Sequence, residues 1–186
     1  MGKYLKLCVL ALIRSMAFGC AQKGSYQSDP YSTQAQQRFR RSYEAAFDNN
    51  EQQGNQQLLR KARSAIGTPY VPGGMSPGGF DCSGFVCWVF RQSGVYDTGR
   101  LGAKGLYSLC TDVSRDEARP GDLVFFTKTM GADVKGITHV GIYVGNNMML
   151  HAGDPVGFAD LQSDKWAKKI YAFGRLPVQQ GAQADE

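Results

Sequence analysis

The chain has 186 residues, 42% hydrophobic and 11% aromatic, which is enough to bury one ordinary core and hardly two. Its net charge is +5, but Lys3, Lys6 and Arg14 lie among residues 1–19 with no acid beside them, so the remainder carries only +2. No block of five or more Lys or Arg occurs, which favours a solvated surface of mixed charge over a nucleic-acid partner.

Lys3 and Lys6, the apolar run 7–13 and the small residues around Ala17-Phe18-Gly19-Cys20 read as an export signal over residues 1–19. The run is too short to stay in a bilayer as a spanning helix. Ala17 and Gly19 suit an ordinary signal peptidase, whereas Gly19-Cys20 resembles the end of a bacterial lipobox, in which Cys20 is lipidated and becomes the new first residue. Arg14 and the bulky Phe18 depart from that pattern, and Lys6 stands where N-myristoylation wants Ser or Thr. Residues 20–57 are rich in Gln, Ser, Asn, Tyr and Arg and poor in aliphatics. Such a segment buries too little apolar surface to offset its ordering entropy, so a polar tether is expected, with at most a short helix over 34–47.

Regular pattern starts at Leu58. Leu58, Ala62, Ala65 and Ile66 share one helical face, which Gly67 and Pro69 bring to an end. A loop rich in Gly and Pro covers 68–80. A second helix opens at Cys82, with Cys82, Phe85, Val86, Val89 and Phe90 on one stripe, Asp81 as its N-cap and Gly94 as its stop. A short third helix is expected over 103–110. Beyond Pro120-Gly121 the period becomes two, and 123–127, 137–144, 148–151 and 170–175 read as short antiparallel strands. Helices followed by strands make an α+β domain over 58–177, with a frayed tail at 178–186.

Cys82 is open to four readings. A disulfide with Cys87 fails inside one helix, because five residues rise about 7.5 Å along the axis, more than the usual Cα separation of a bridge. Cys87 could instead meet Cys110 in an oxidising compartment. Plain packing is the second reading, since free cysteine is among the most buried residue types. Against it stands the first-turn position, where unsatisfied N–H groups and the positive end of the macrodipole favour the thiolate. Zinc is the third, but no C-x-x-C or H-x3–5-H pair supplies the close spacing of such sites. Nucleophilic attack is the fourth, and it needs a base.

His139 and His151 are the whole histidine supply, and both fall in strands. If 145–147 forms a three-residue hairpin loop, Gly141 comes opposite His151 and the two rings share a face on a diagonal. A register shift of one turns His151 away. On the shared face, His139 would take the Cys82 proton and return it to a leaving amine, while His151 orients the His139 ring. Backbone N–H groups at the helix start, with Tyr70, would meet the developing oxyanion.

Four motifs stand in one order: G-T-P-Y-V-P-G-G at 67–74, D-C-S-G-F-V at 81–86, R-P-G-D-L-V-F-F at 119–126, and H-V-G-I-Y-V-G-N at 139–146 followed by L-H-A at 150–152. Through them, residues from about 58 to 177 resemble the NlpC-type cell-wall peptidases. The resemblance implies a papain-like α+β fold, with the cysteine helix packed on an antiparallel sheet. It implies hydrolysis of peptidoglycan stem peptides, most often between γ-D-glutamate and diaminopimelate. Carried over by motif, Cys82 is the nucleophile, His139 the base and His151 the orienting third member. Tyr70 would lie near the thiol, and Asp81 and Ser83 would face the substrate cleft.

No metal or cofactor is implied, and a monomer is expected. The loops 73–79 and 131–136 are where stem-peptide preference could depart from the family. The expected setting is the bacterial envelope, reached by export and by a lipid on Cys20 carrying the polar tether. Two rivals share the fold: an acyltransferase, whose acceptor the cleft chooses, and a catalytically silent wall-binding module, which needs none of the three triad residues.

Overall fold

The computed structural model describes residues 55–131 and 133–177, together with Arg41, Glu44, Ala45, Asp48 and Asn49. The expected export signal with Cys20, most of the tether and the tail at 178–186 lie outside the described residues. Arg41, Glu44 and Ala45, within the stretch where a short helix is expected, are helical. Asp48, one turn on, pairs with Arg63.

Helix α1 spans Gln56–Ser64 and is capped by Asn55, whose side chain accepts from the Leu58 N–H at 3.1 Å. Leu58, Leu59 and Ala62 are its buried face, and Ala65 and Ile66, just past its end, pack on the same core as expected. The loop that follows contains a small hairpin, β1 (Met75–Ser76) paired with β2 (Gly79–Phe80), too short to announce itself by alternation. Helix α2 covers Cys82–Gln92 and ends before Gly94, which takes φ +70°. Helix α3 covers Ala103–Ser108.

Six strands form one antiparallel sheet in the order β3-β8-β4-β5-β6-β7. The expected strands are β4 (Leu123–Thr127), β5 (Ile137–Gly145), β6 (Met148–His151) and β8 (Ile170–Arg175). The edges β3 (Thr111–Val113) and β7 (Gly157–Asp160) were not foreseen, because neither buries a residue and so neither shows an apolar alternation. Alternation divides the inner strands between two faces. Leu123, Phe125, Val140, Ile142 and Leu150 join the helices in the main core. Val124, Phe126, Met149 and Phe173 meet Leu161 and Trp166 on the opposite side. Burying one such side chain stabilises by about 1.5–3 kcal/mol, so the second cluster anchors the 161–169 segment to the sheet.

The β5–β6 hairpin sets the histidine register. Asn146 and Asn147 form its turn with φ of 49° and 57°, while Gly145 pairs with Met148 across an irregularity in the ladder. The turn is therefore two residues plus a bulge, where a three-residue loop was expected. The parity is the same, and a Cβ on Gly141 would lie 3.1 Å from that of His151. In the R-P-G-D motif, Asp122 is buried, accepts from the Arg119 N–H at 2.7 Å and holds Arg175 of β8 at 2.7 and 2.8 Å. That motif fastens β4 to β8. Cys87 and Cys110 are both free thiols and form no bridge. Burial, followed by Asp122 and Asp112, pushes the Cys110 thiol up to about 12.

Candidate active site

Asp81 is the N-cap of α2, with extended backbone and a carboxylate oxygen accepting from the Gly84 N–H at 2.6 Å. Its other oxygen accepts from the Gly73 N–H at 3.0 Å and pairs with Arg100. Ser83 donates to Asp81 at 3.1 Å and accepts from Arg100 at 3.0 Å. Ser83 is thus buried and bonded inward. Gly84 allows the loop to close on the helix, because a Cβ there would sit 2.0 Å from the Gly74 carbonyl oxygen. These contacts hold the first turn of α2, and with it Cys82, against the glycine-rich loop.

Cys82 is half-buried, and backbone N–H groups of Val140, Ser83 and Cys82 itself act on its sulfur to favour the anion. Burial and the Asp81 charge outweigh them and raise the thiol above its ordinary range. Burial and Asp81 thus oppose the dipole-stabilised thiolate expected from the helix position. Tyr70 lies within electrostatic reach: burial first, then Cys82 and Asp81, pushes its hydroxyl up. Its backbone N–H donates to Asp154 at 3.4 Å. Thr68 and Gly67 pair with Val156, so the Tyr70 loop and the segment after His151 form one wall.

The two histidines meet. His139 Nε2 and His151 Nδ1 are 3.0 Å apart, and both residues are buried. One proton lies between those nitrogens. The Ala152 backbone carbonyl acts on His151 as a hydrogen-bond acceptor, and His151 Nε2 lies next to Gly153. A proton on His151 Nε2 makes its Nδ1 the acceptor, so His139 donates through Nε2 and keeps a lone pair on Nδ1. Val140, whose N–H reaches the Cys82 sulfur, is the residue after His139. Among the described residues no hydrogen bond joins Cys82 to His139 itself; such contacts commonly tighten only when substrate is bound.

Both rings are held neutral. Burial, then Lys165, lowers His139 from 6.5 to about 4. Burial, then His139 and Lys165, lowers His151 to about 3, with the Ala152 carbonyl opposing. A neutral imidazole beside a neutral thiol can act as a base without prior ion-pair formation. Among the described residues no group of three His, Cys, Asp or Glu side chains could hold a metal ion. A groove of about 700 Å³ lined by Asp112, Asp116, Glu117, Arg119 and Arg175 shares no residue with this site.

Sequence reasoning missed Arg100, Lys165, Trp166 and Asp154. Arg100 comes from the loop before α3, Asp154 from the turn after β6, and the other two from the 161–169 segment. None belongs to a periodic pattern or lies beside a motif cysteine or histidine, so only the fold brings them in.

Residues 67–175 match the sequence model of the NlpC/P60 family. "Probable endopeptidase p60" of Listeria seeligeri is 42% identical over 120 residues, covering 64% of this chain and 22% of that protein. The "Bifunctional muramidase/DL-endopeptidase CwlT" of Bacillus subtilis is 36% identical over 183 residues, covering 94% of this chain and 53% of that one. The chain thus spans from about a fifth to about half the length of these relatives. A crystal structure of a Staphylococcus aureus protein described as similar to lipoprotein, NLP/P60 family, superposes with a TM-score of 0.61 at 39% identity, covering 66% of this chain and 41% of that one. The α+β architecture is that of this papain-like family.

Proposed function

The chain belongs to the NlpC/P60 family, and from that premise we propose that it is a cysteine endopeptidase that cuts the stem peptide of peptidoglycan at the γ-D-glutamyl-diaminopimelate amide. The observation that carries this reading is the 3.0 Å bond between His139 Nε2 and His151 Nδ1, one residue from the backbone N–H that reaches the Cys82 sulfur. The names of CwlT and p60 support the same chemistry.

In this mechanism His139 Nδ1 takes the thiol proton as sulfur attacks the amide carbonyl. His151 accepts the His139 Nε2–H throughout and stabilises the imidazolium that forms. N–H groups at the start of α2 and the Tyr70 hydroxyl meet the oxyanion. Collapse breaks the C–N bond, and the amine leaves with the proton from His139. Water then gives a proton to His139, attacks the thioester and releases the acid, and the sulfur recovers its hydrogen. Asp81, through Arg100, Ser83 and Gly73, sets the cleft wall beside the substrate.

Export places the enzyme in the envelope, where a lipid on Cys20 and the polar tether 20–57 would deliver it to the wall. The lipoprotein-like description of the Staphylococcus aureus relative supports that anchor. Among the described residues no helix is long and apolar enough to cross a membrane. The mass of the mature N-terminus distinguishes an acylated Cys20 from a plain new end. Digestion of purified wall, followed by mass spectrometry of the muropeptides, tests the activity. New free diaminopimelate amino ends are expected; transfer of the acyl group to added amines, or wall binding with unchanged muropeptides, would replace this reading with one of its two rivals.

A further inference from the structure

The mechanism uses one face of the histidine pair, and the other is covered by an aromatic side chain that the reaction does not employ. Trp166 stacks on His139 with centroids 5.2 Å apart and planes at 27°, and stands edge-on to His151 at 5.0 Å and 75°. Phe126 of β4 backs both, 4.8 Å from Trp166 and 5.9 Å from His139. Trp166 itself is only 6% exposed.

Its place is fixed from several directions. Leu161, wholly buried, donates its N–H to the Asn147 carbonyl at 2.8 Å, tying the segment to the β5–β6 turn. The Trp166 N–H donates to the Ser163 carbonyl at 3.0 Å, and the Trp166 carbonyl accepts from Lys169 at 2.8 Å. On top of the indole, the Lys165 ammonium lies 5.2 Å from the ring centroid. A cation is thus held over a ring that is itself pressed on a base.

We propose that Trp166, carrying Lys165 on its outer face, is a positioning residue for the histidine pair: it fixes the plane of His139 so that Nε2 meets His151, and it seals that bond from water. The inference goes beyond the proposed cleavage, because it concerns the state of the pair before any substrate arrives. A tilt of the imidazole about its Cβ–Cγ bond would break the 3.0 Å contact and free the tautomer. The indole, stacked on the imidazole with an offset, opposes that tilt through the part of the ring it overlaps. The same cover removes water that would stabilise an imidazolium, and Lys165 adds a like charge against one.

The charged and titratable groups around the pair are few. Lys165 comes from the 161–169 segment and Cys82 from α2, the latter with Asp81 and Tyr70 beside it. From β4 the pair meets Phe126, which carries no charge. Each histidine faces the other from β5 and β6. Lys165 is therefore the cation that acts on both rings.

Because the chain has only two histidines, NMR of their rings in the intact protein reads the pair without substrate. Between about 4 and 6.5 the wild-type His139 ring is expected to stay neutral. Trp166→Ala should bring protonation into that window, raising the midpoints by about one pH unit or more. Trp166→Phe, which retains an aromatic face, should restore most of the wild-type behaviour. Lys165→Gln should raise both midpoints by about half a unit, and Lys165→Arg should leave them in place. Unmoved midpoints in Lys165→Gln, or in a folded Trp166→Ala that merely melts earlier, would overturn the proposal; if Trp166→Ala does not fold, Trp166→Phe and Lys165→Gln decide. Should the rings respond as stated while wall remains uncut, the substrate reading falls and this one stands.

Discussion

On the helix side of the site, Asp81 gathers Ser83, Gly73, Gly84 and Arg100 through polar bonds, each within nineteen positions of Asp81 itself. On the strand side, His139 and His151 are held by each other and by the rings of Phe126 and Trp166, drawn from three strands and a distant loop. The first arrangement is local and partly open to solvent, with Arg100 36% exposed, so water can replace much of what any one bond contributes. The second is dry and cross-strand, and water entering it changes the state of the base. Damage to the polar bonds around Asp81 should therefore be graded, and damage to the histidine pair and its cover should reach the chemistry directly.

The largest effect comes from removing the sulfur. Cys82→Ala should take muropeptide release below detection while far-ultraviolet circular dichroism and melting stay close to wild type; surviving activity would remove Cys82 from the mechanism. His151→Ala comes next, lowering kcat by about 10³-fold through loss of the correct His139 tautomer, read from initial rates on purified wall. Equal losses for His151→Ala and Arg100→Lys would break the contrast between the two sides.

Acid sensitivity follows from the strand side alone. The unfolded chain protonates histidine near 6.5, while His139 in the fold resists until about 4. Between those values the unfolded state binds more protons, so stability is full above about 6.5 and falls as pH drops toward about 4. Thermal melts across that interval should show the decline, and substitution of both histidines by Gln should flatten it. Asp81→Asn is a smaller and more informative change. It keeps a capping oxygen but removes the charge that helps raise the Cys82 thiol, so site-resolved alkylation of Cys82 should reach its half-rate at lower pH. Arg100→Lys closes the series, with a stability change of about 1 kcal/mol or less in urea titrations.

Much of this contrast was legible in the residues themselves. The α2 stripe and the Asp81 cap follow from helical periodicity, while β4 and β6, buried on both faces, show as short apolar runs bounded by turn residues. Gly141 and the Asn146-Asn147 turn were enough to place the histidines together. Other features were hidden for physical reasons. The edges β3 and β7 hold no fully buried residue, and only Val113, Phe158 and Ala159 pack on the cores, so they carry no clear alternation. Ser83 reads as a cleft residue until Arg100 appears beside it, and Arg100 arrives only through the fold of the loop before α3. The burial that opposes a Cys82 thiolate leaves no trace in the sequence, because the helix position shows the stabilising N–H groups and not what covers them.

Asn146 and Asn147 take up the whole reversal between β5 and β6. One residue added there, with no bulge to absorb it, would turn one imidazole to the other face of the sheet. A change of length that alters the pairing parity within 139–152 is therefore expected to cost turnover.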